Sequence, residues 1–181
     1  MIAAASVVAV TALLAAGCGG SGDSASSDTA PTEEWADGLC SSISTWTSSL
    51  TSIVDTLKGG DLSKDSLASA VDEAKSATET FTTSLSDLGR PDTEAGQEAK
   101  DSVDQLVTDI KADMTEIEDA VNGASGVAGV IAAVPTISST LSKAGEQVSA
   151  TLTGFQDLDA KGELESAFEN SSSCQALTSG S

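Results

Sequence analysis

The sequence predicts an all-α protein: an up-down-up-down four-helix bundle with a short C-terminal helix, closed by one disulfide. Three observations predict this fold class. Apolar residues recur at spacings of three and four along four long segments, which is the period of a helix face packed on a core. Short runs with glycine or proline separate these segments, so sequence neighbours are expected to pack antiparallel. Two cysteines, Cys40 and Cys174, stand near the two ends of the helical region.

The first two helices have the clearest limits. The first is predicted to begin at Thr32, a capping residue followed by two glutamates, and to end at Gly59-Gly60. The second is predicted to run from about Ser63 to the stop signal Gly89-Arg90-Pro91. Their core-facing stripes are Trp35, Leu39, Ile43, Trp46, Leu50, Ile53 and Leu57, then Leu67, Val71, Ala74, Thr78, Phe81, Leu85 and Leu88.

The remaining helices follow the same reasoning. The third is predicted from about Thr93 to Asn122-Gly123, the fourth with Pro135 in its first turn, and a short terminal helix from about Glu163 to Ala176. Their stripes are Ala99, Val103, Leu106, Ile110, Met114 (or Asp113), Ile117 and Val121; then Ile137, Leu141, Ala144, Val148, Leu152 and Phe155; then Leu164, Phe168 and Cys174. Because the fourth helix is nearly uncharged, we expect more of its circumference to be covered than in the acidic third helix.

The segment between the third and fourth helices is apolar, with two glycines and no charge from Ala124 to Val134. It could continue the third helix, form a short independent turn or be an apolar loop. In the predicted topology it lies with Gly59-Gly60 at the end of the bundle opposite the N-terminal segment. One hypothesis is that it extends the helical core. The other is a partner-facing tip formed by Gly123, Val127, Val130, Ile131 and Val134.

The N-terminal segment has the pattern of a bacterial lipoprotein signal. An apolar run of about 15 residues, shorter than the roughly 20 needed to span a bilayer, precedes the lipobox Leu13-Leu14-Ala15-Ala16-Gly17-Cys18. It departs from the pattern in lacking Lys or Arg before Cys18 and in having Ala15 where leucine is commoner. We expect residues 1–17 to be a signal peptide, residues 18–31 a lipidated Cys18 with a flexible tether, and residues 32–181 the helical domain.

The cysteine count is then even. With Cys18 modified by lipid, Cys40 and Cys174 remain in an oxidising compartment, and a disulfide between them is the simplest interpretation. Two unpaired buried thiols are the alternative. The predicted topology supports the pairing, because a terminal helix after the fourth helix returns close to the start of the first.

Composition restricts the possible functions. With 28 acidic residues against 8 basic ones, the net charge is -20, which argues against nucleic-acid binding. Histidine is absent, so the commonest general base and metal ligand are missing, and we expect neither an enzyme nor a cofactor nor a metal site. Asp109, Asp113 and Glu116 share a helix face that could hold calcium, but we interpret them as a solvated face.

The two ends of the chain carry the one resemblance to a known family. The segments LLAAGCGG, EWADGLCSSISTW and SSSCQAL, with the Ser/Asp-rich tether, resemble small secreted lipoproteins of actinobacteria. The resemblance implies an envelope protein of unknown function and strengthens the pairing of Cys40 with Cys174. We therefore expect a lipid-anchored, non-enzymatic interaction or structural module on the extracytoplasmic face of the cell membrane, with a possible envelope protein partner. The alternative is a binding or sensor module with a small ligand in the bundle core.

Overall fold

The computed structural model describes residues 29–59, 63–158 and 162–179. The predicted signal peptide, the predicted lipidation site Cys18 and most of the predicted tether lie outside these residues. Four long helices, α1 (Thr32–Gly59), α2 (Lys64–Asp87), α3 (Gly96–Gly123) and α4 (Gly126–Leu158), are followed by α5 (Glu163–Asn170) and α6 (Ser172–Ser179). Two short strands, β1 (Thr29–Ala30) and β2 (Arg90–Pro91), pair in parallel.

The all-α bundle fold is confirmed. Each long helix packs on the next, α1 on α2, α2 on α3 and α3 on α4, while α5 and α6 pack on α1. The start of α1, the end of α2, the start of α3 and the end of α4 share one core cluster, and the opposite ends share a second. This is the up-down-up-down order. The disulfide between Cys40 and Cys174 is also confirmed, with Cα atoms 5.0 Å apart.

Both tryptophans lie in the core, as their helical spacing predicts. Trp35 and Trp46 expose only 1% and 6% of their surface. The Trp46 ring stacks on Phe81 with centroids 4.7 Å apart, and its indole N–H donates to Thr78 Oγ1 at 3.1 Å. The Trp35 indole N–H donates to the carbonyl of Gly89 at 3.2 Å. Each ring therefore buries its apolar body and satisfies its single polar group, which is what a core tryptophan requires.

The start of α4 differs from the prediction. Pro135 is not in the first turn; it lies inside a helix that begins at Gly126, whose φ of +64° reverses the chain after α3. All three alternatives for Ala124–Val134 are thus wrong, because most of this segment forms the first turns of α4. A proline within a helix removes the amide that would bond the carbonyl four residues earlier. Pro135 lies on the exposed side of the helix, where water can donate a hydrogen bond to the unpaired carbonyl of Ile131.

Three other limits are shifted. The tether was predicted to extend to Pro31, but Thr29 and Ala30 pair with Arg90 and Pro91 and belong to the folded domain. The third helix begins at Gly96 rather than near Thr93, and a Cβ at Gly96 would lie 2.0 Å from the Pro91 carbonyl oxygen, so only glycine fits this approach. The single terminal helix is two helices, separated at Ser171, which has an extended backbone.

The predicted coverage of the fourth helix is wrong as well. Only 22% of the most apolar window of α4 is buried, because the helix packs chiefly on α3 and leaves a wide face of small neutral residues exposed. Among the described residues, one helix, over Gly126–Phe155, is long and apolar enough to cross a membrane by length and composition. Helices of soluble proteins meet the same criterion.

Candidate functional site

Two apolar clefts open along the α1–α4 side of the bundle. The first, the tip groove, has a volume of about 300 Å³ and lies at the end where α4 begins; its lining comprises Val54, Leu57, Leu67, Val134, Ile137, Ser138 and Leu141. The second, the basal cleft, has a volume of about 570 Å³ and lies at the disulfide end; its lining comprises Cys40, Leu152, Phe155, Glu165, Phe168, Glu169, Cys174, Gln175 and Leu177.

The first turns of α4 present the most exposed large apolar side chains among the described residues. Val127, Ile131 and Val134 expose 73%, 64% and 42% of their surface. Their spacings of four and three place them on one side of the helix, and we call them the tip face. Gly123, at the end of α3, is also exposed. Val130 differs: it is 2% exposed and belongs to the core, so it is no part of a partner-facing tip.

The two hypotheses for this segment, an extension of the helical core and an exposed tip, therefore apply to different residues. The core interpretation holds for Val130, which packs in the same cluster as Val121 and Leu67. It is wrong for the tip face, which remains exposed. The chain carries no charge from Gly123 to Ser142, although its net charge is -20. The tip face is thus apolar and locally uncharged on an otherwise strongly acidic protein.

The two cysteine-bearing motifs meet at the other end of the bundle. Asp37 accepts a hydrogen bond from the Ser171 hydroxyl at 2.9 Å and from the Ser173 amide at 3.3 Å. The Cys174 amide in turn donates to Ser171 Oγ at 3.2 Å. Hydrogen bonds from the side chains of Ser173 and Ser171, and then from the Ser173 amide, hold the pKa of Asp37 below its ordinary value. Asp37 and Ser171 together therefore cap α6 beside the disulfide.

Sequence reasoning missed this role of Asp37. A signal was present, because an Asp three residues before Cys40 and a serine three residues before Cys174 are both residue types that cap helices. What could not be read from the sequence is that the Asp of one motif caps the helix of the other. That requires the chain ends to be adjacent.

Aromatic rings form the floor of the basal cleft. The Phe155 and Phe168 rings stack with centroids 5.8 Å apart, and the Trp35 ring meets them edge-on at 5.4 Å and 6.2 Å. Phe155 is buried, whereas Phe168, Leu152 and Leu177 are half-buried. Glu165 and Glu169 are exposed at the rim, and the described lining residues include no Lys or Arg. The cleft is apolar inside and acidic at its edge.

The acidic face of α3 does not remain fully solvated. Asp113 is buried, and its Oδ1 bonds the ammonium group of Lys143 on α4 at 2.6 Å. The bond to Asp113 and its charge raise the pKa of Lys143 above its ordinary value. Asp113 Oδ2 has no hydrogen-bond partner among the described residues. Over residues 29–59, 63–158 and 162–179, no group of three or more His, Cys, Asp or Glu side chains that could hold a metal ion is found.

Comparison with known proteins assigns no family. No family model matches the chain, and neither a curated protein nor a solved structure matches it.

Proposed function

We propose that the chain is a lipid-anchored lipoprotein on the extracytoplasmic face of the cell membrane, and that its bundle acts without catalysis as an interaction module of the cell envelope. The lipobox ending at Cys18 supports the anchor. The Cys40–Cys174 disulfide supports an oxidising compartment, because such bonds are rare in the cytosol. An anchored bundle then exposes one end to the membrane and the other to the envelope.

The tip face is the single observation that carries the interaction role. The N-terminal segment joins the bundle at β1, next to the start of α1, and α1 has 28 residues. At 1.5 Å per residue this helix is about 42 Å long, so Val127, Ile131 and Val134 lie roughly that far from the point of attachment. An exposed apolar face that no fold contact explains is typical of a protein-binding surface.

The size of the tip face sets the kind of contact. Three aliphatic side chains and the adjoining tip groove provide a surface well below the roughly 800 Å² per partner of a standard stable interface. We therefore propose a weak or transient protein contact, strengthened by confinement of both partners at one membrane.

Site-specific photocrosslinking in intact cells tests this function. A photoreactive amino acid at Ile131 is expected to give a discrete crosslinked species, whereas the same group at Ser149, exposed near the other end of α4, gives none. In the Ile131→Asp background, a probe at Val127 should lose that species. Equal yields at Ile131 and Ser149, or no species at either, would remove the tip face as a docking surface.

A second candidate function is small-ligand binding, which the basal cleft favours. The sequence placed such a ligand in the bundle core, but this cleft lies on the flank, between α1, α4 and the two terminal helices. Its volume of 570 Å³ lies within the range of ligand sites in proteins. A ligand that binds the folded state alone raises Tm in proportion to the logarithm of its excess concentration, which differential scanning fluorimetry measures.

A further inference from the structure

We propose that the basal cleft binds an amphipathic cation, an aliphatic chain that carries an amine or quaternary ammonium headgroup. The inference rests on the second candidate function, whose ligand it names by chemical class, and is independent of the tip face. Three properties of the cleft carry it: an apolar floor, an acidic rim and a volume within the range of small-ligand sites.

The floor suits an aliphatic chain. Half-buried Leu152, Leu177 and Phe168 leave apolar surface open to the cleft, beside the buried Phe155 and the disulfide. Transfer of methylene groups from water onto such a surface is favourable in proportion to the area covered. None of these three side chains offers a hydrogen bond, so the part of the ligand seated on them is apolar.

The rim selects the sign of the headgroup. Glu165 and Glu169 stand one turn apart on α5, both exposed, and both line the cleft. No basic residue is among the described residues that line it, and the net charge of -20 adds a background field that repels anions. A cationic head is therefore attracted where an anionic head is repelled.

The size of the cleft suits a small ligand. Its volume of about 570 Å³ lies within the range of small-molecule sites in proteins. The Cys40–Cys174 bridge joins α6 to α1 at one wall of the cleft. A single aliphatic chain with a compact head fits this space.

Trp35 provides a direct reporter. The chain has two tryptophans, so the Trp46→Phe variant leaves only the indole that touches Phe155 and Phe168 in the cleft floor. The full-length variant is titrated, below the critical micelle concentrations, with dodecyltrimethylammonium, dodecyl maltoside and dodecyl sulfate. We expect a saturable change in Trp35 emission with the cation, at an affinity at least tenfold above that for the sulfate, with helicity by circular dichroism unchanged.

The rim is tested with matched variants. Glu165→Gln combined with Glu169→Gln is expected to lower the affinity for the cation at least tenfold and to leave that for the maltoside unchanged. Glu163→Gln, on the same helix but outside the cleft lining, should leave both unchanged. Equal affinity for cation and sulfate, a cation preference that survives the double substitution, or no saturable change would overturn the proposal.

Two further outcomes separate this proposal from the others. Trp35 emission that depends on protein concentration without added amphiphile would assign the cleft to a second copy of the chain and would also overturn the proposal. Crosslinking at Ile131 reports on the opposite end of the bundle. Absence of a crosslinked species at Ile131 would contradict the interaction function without affecting the proposed amphiphile binding. Absence of amphiphile binding would leave the interaction function unaffected.

Discussion

Asp37 joins the two ends of the chain through one carboxylate. It lies on α1, yet its carboxylate accepts hydrogen bonds from the residues that start α6, Ser171 and Ser173. The disulfide three residues further along each motif fixes the same two helices. The covalent and the polar link thus act on one junction, and the polar link depends on the ionised form of Asp37.

Asp37→Asn is expected to loosen α6 and to remove a pH dependence. Because hydrogen bonds lower the folded-state pKa of Asp37 below 3.8, its stabilising effect is present above that value and is lost as pH falls through the folded pKa. The variant should therefore lose α6 amide protection at neutral pH and show a shallower loss of stability on acidification. Hydrogen exchange and acid titration measure this, with exposed Asp119→Asn as the control. Identical acid profiles would contradict the assignment.

The Asp113–Lys143 pair is the second residue-scale feature, because a buried carboxylate depends on one partly exposed lysine. Lys143→Met leaves Asp113 buried and unpaired, and we expect Tm to fall by several degrees. Lys100→Met, which breaks the pair with the exposed carboxylate of Asp104, should change Tm by a degree or less. Thermal unfolding by circular dichroism compares them. Equal shifts in the two variants would show that burial of Asp113 has no energetic consequence.

The same pair gives an alkaline pH dependence. The folded-state pKa of Lys143 is raised, so its stabilising effect is complete below its ordinary value of 10.5 and is lost as pH rises through the folded pKa.

At the scale of elements, helix α4 shows where sequence patterns succeed and fail. The stripe from Ile137 to Phe155 predicted a helix, and that helix is present. The first residue of α4 was predicted wrongly because proline favours the first turn of a helix, and the sequence does not distinguish this position from an exposed one in the helix interior. The fraction of α4 covered by other helices was predicted wrongly because alanine, serine and glycine are tolerated on both buried and exposed faces.

A matched pair of substitutions tests the helical register of this segment. Val130→Ala deletes two buried methyl groups and is expected to cost about 1–3 kcal/mol in the free energy of unfolding. Ile131→Ala, one residue later on the exposed face, should change it by less than about 0.5 kcal/mol. Urea denaturation measures both. A larger loss at Ile131 than at Val130 would contradict the register.

The disulfide is an element-scale constraint on α6. It joins residues 134 apart in sequence, and for such a loop the chain-entropy model gives a stabilisation of about 5 kcal/mol, an upper estimate. Cys40→Ala with Cys174→Ala should lower the urea midpoint and expose α6 amides to exchange before those of α2 and α3. Unchanged α6 protection in the double variant would show that packing and the Asp37 cap hold this helix without the bridge.

For the molecule as a whole, the sequence predicted more of the fold than of the candidate site. Helical periodicity is local, so the helices and their order could be predicted, and the even pair of Cys40 and Cys174 fixed which ends meet. The basal cleft could not be predicted from the sequence, because its lining comes from α1, α4, α5 and α6 and depends on the break between the last two helices at Ser171. The tip was predicted as a region, but the division between buried Val130 and exposed Ile131 required the register of α4.

The charge of the molecule differs between its two ends. Its net charge of -20 disfavours close approach to anionic surfaces, while the stretch from Gly123 to Ser142 carries no charge. An anchor at Cys18 would hold the disulfide end toward the membrane and leave the uncharged tip face about 42 Å away, the length of α1. The proposed function depends on this orientation, and the orientation depends on the anchor.

Lipid attachment at Cys18 is therefore the first property to measure, by mass spectrometry of the protein from the membrane fraction of its native cells. We expect an N-terminal peptide beginning at lipid-modified Cys18, with Cys40 and Cys174 recovered as one bridged peptide pair. An unmodified Cys18 within a chain recovered from the soluble fraction would contradict lipid attachment.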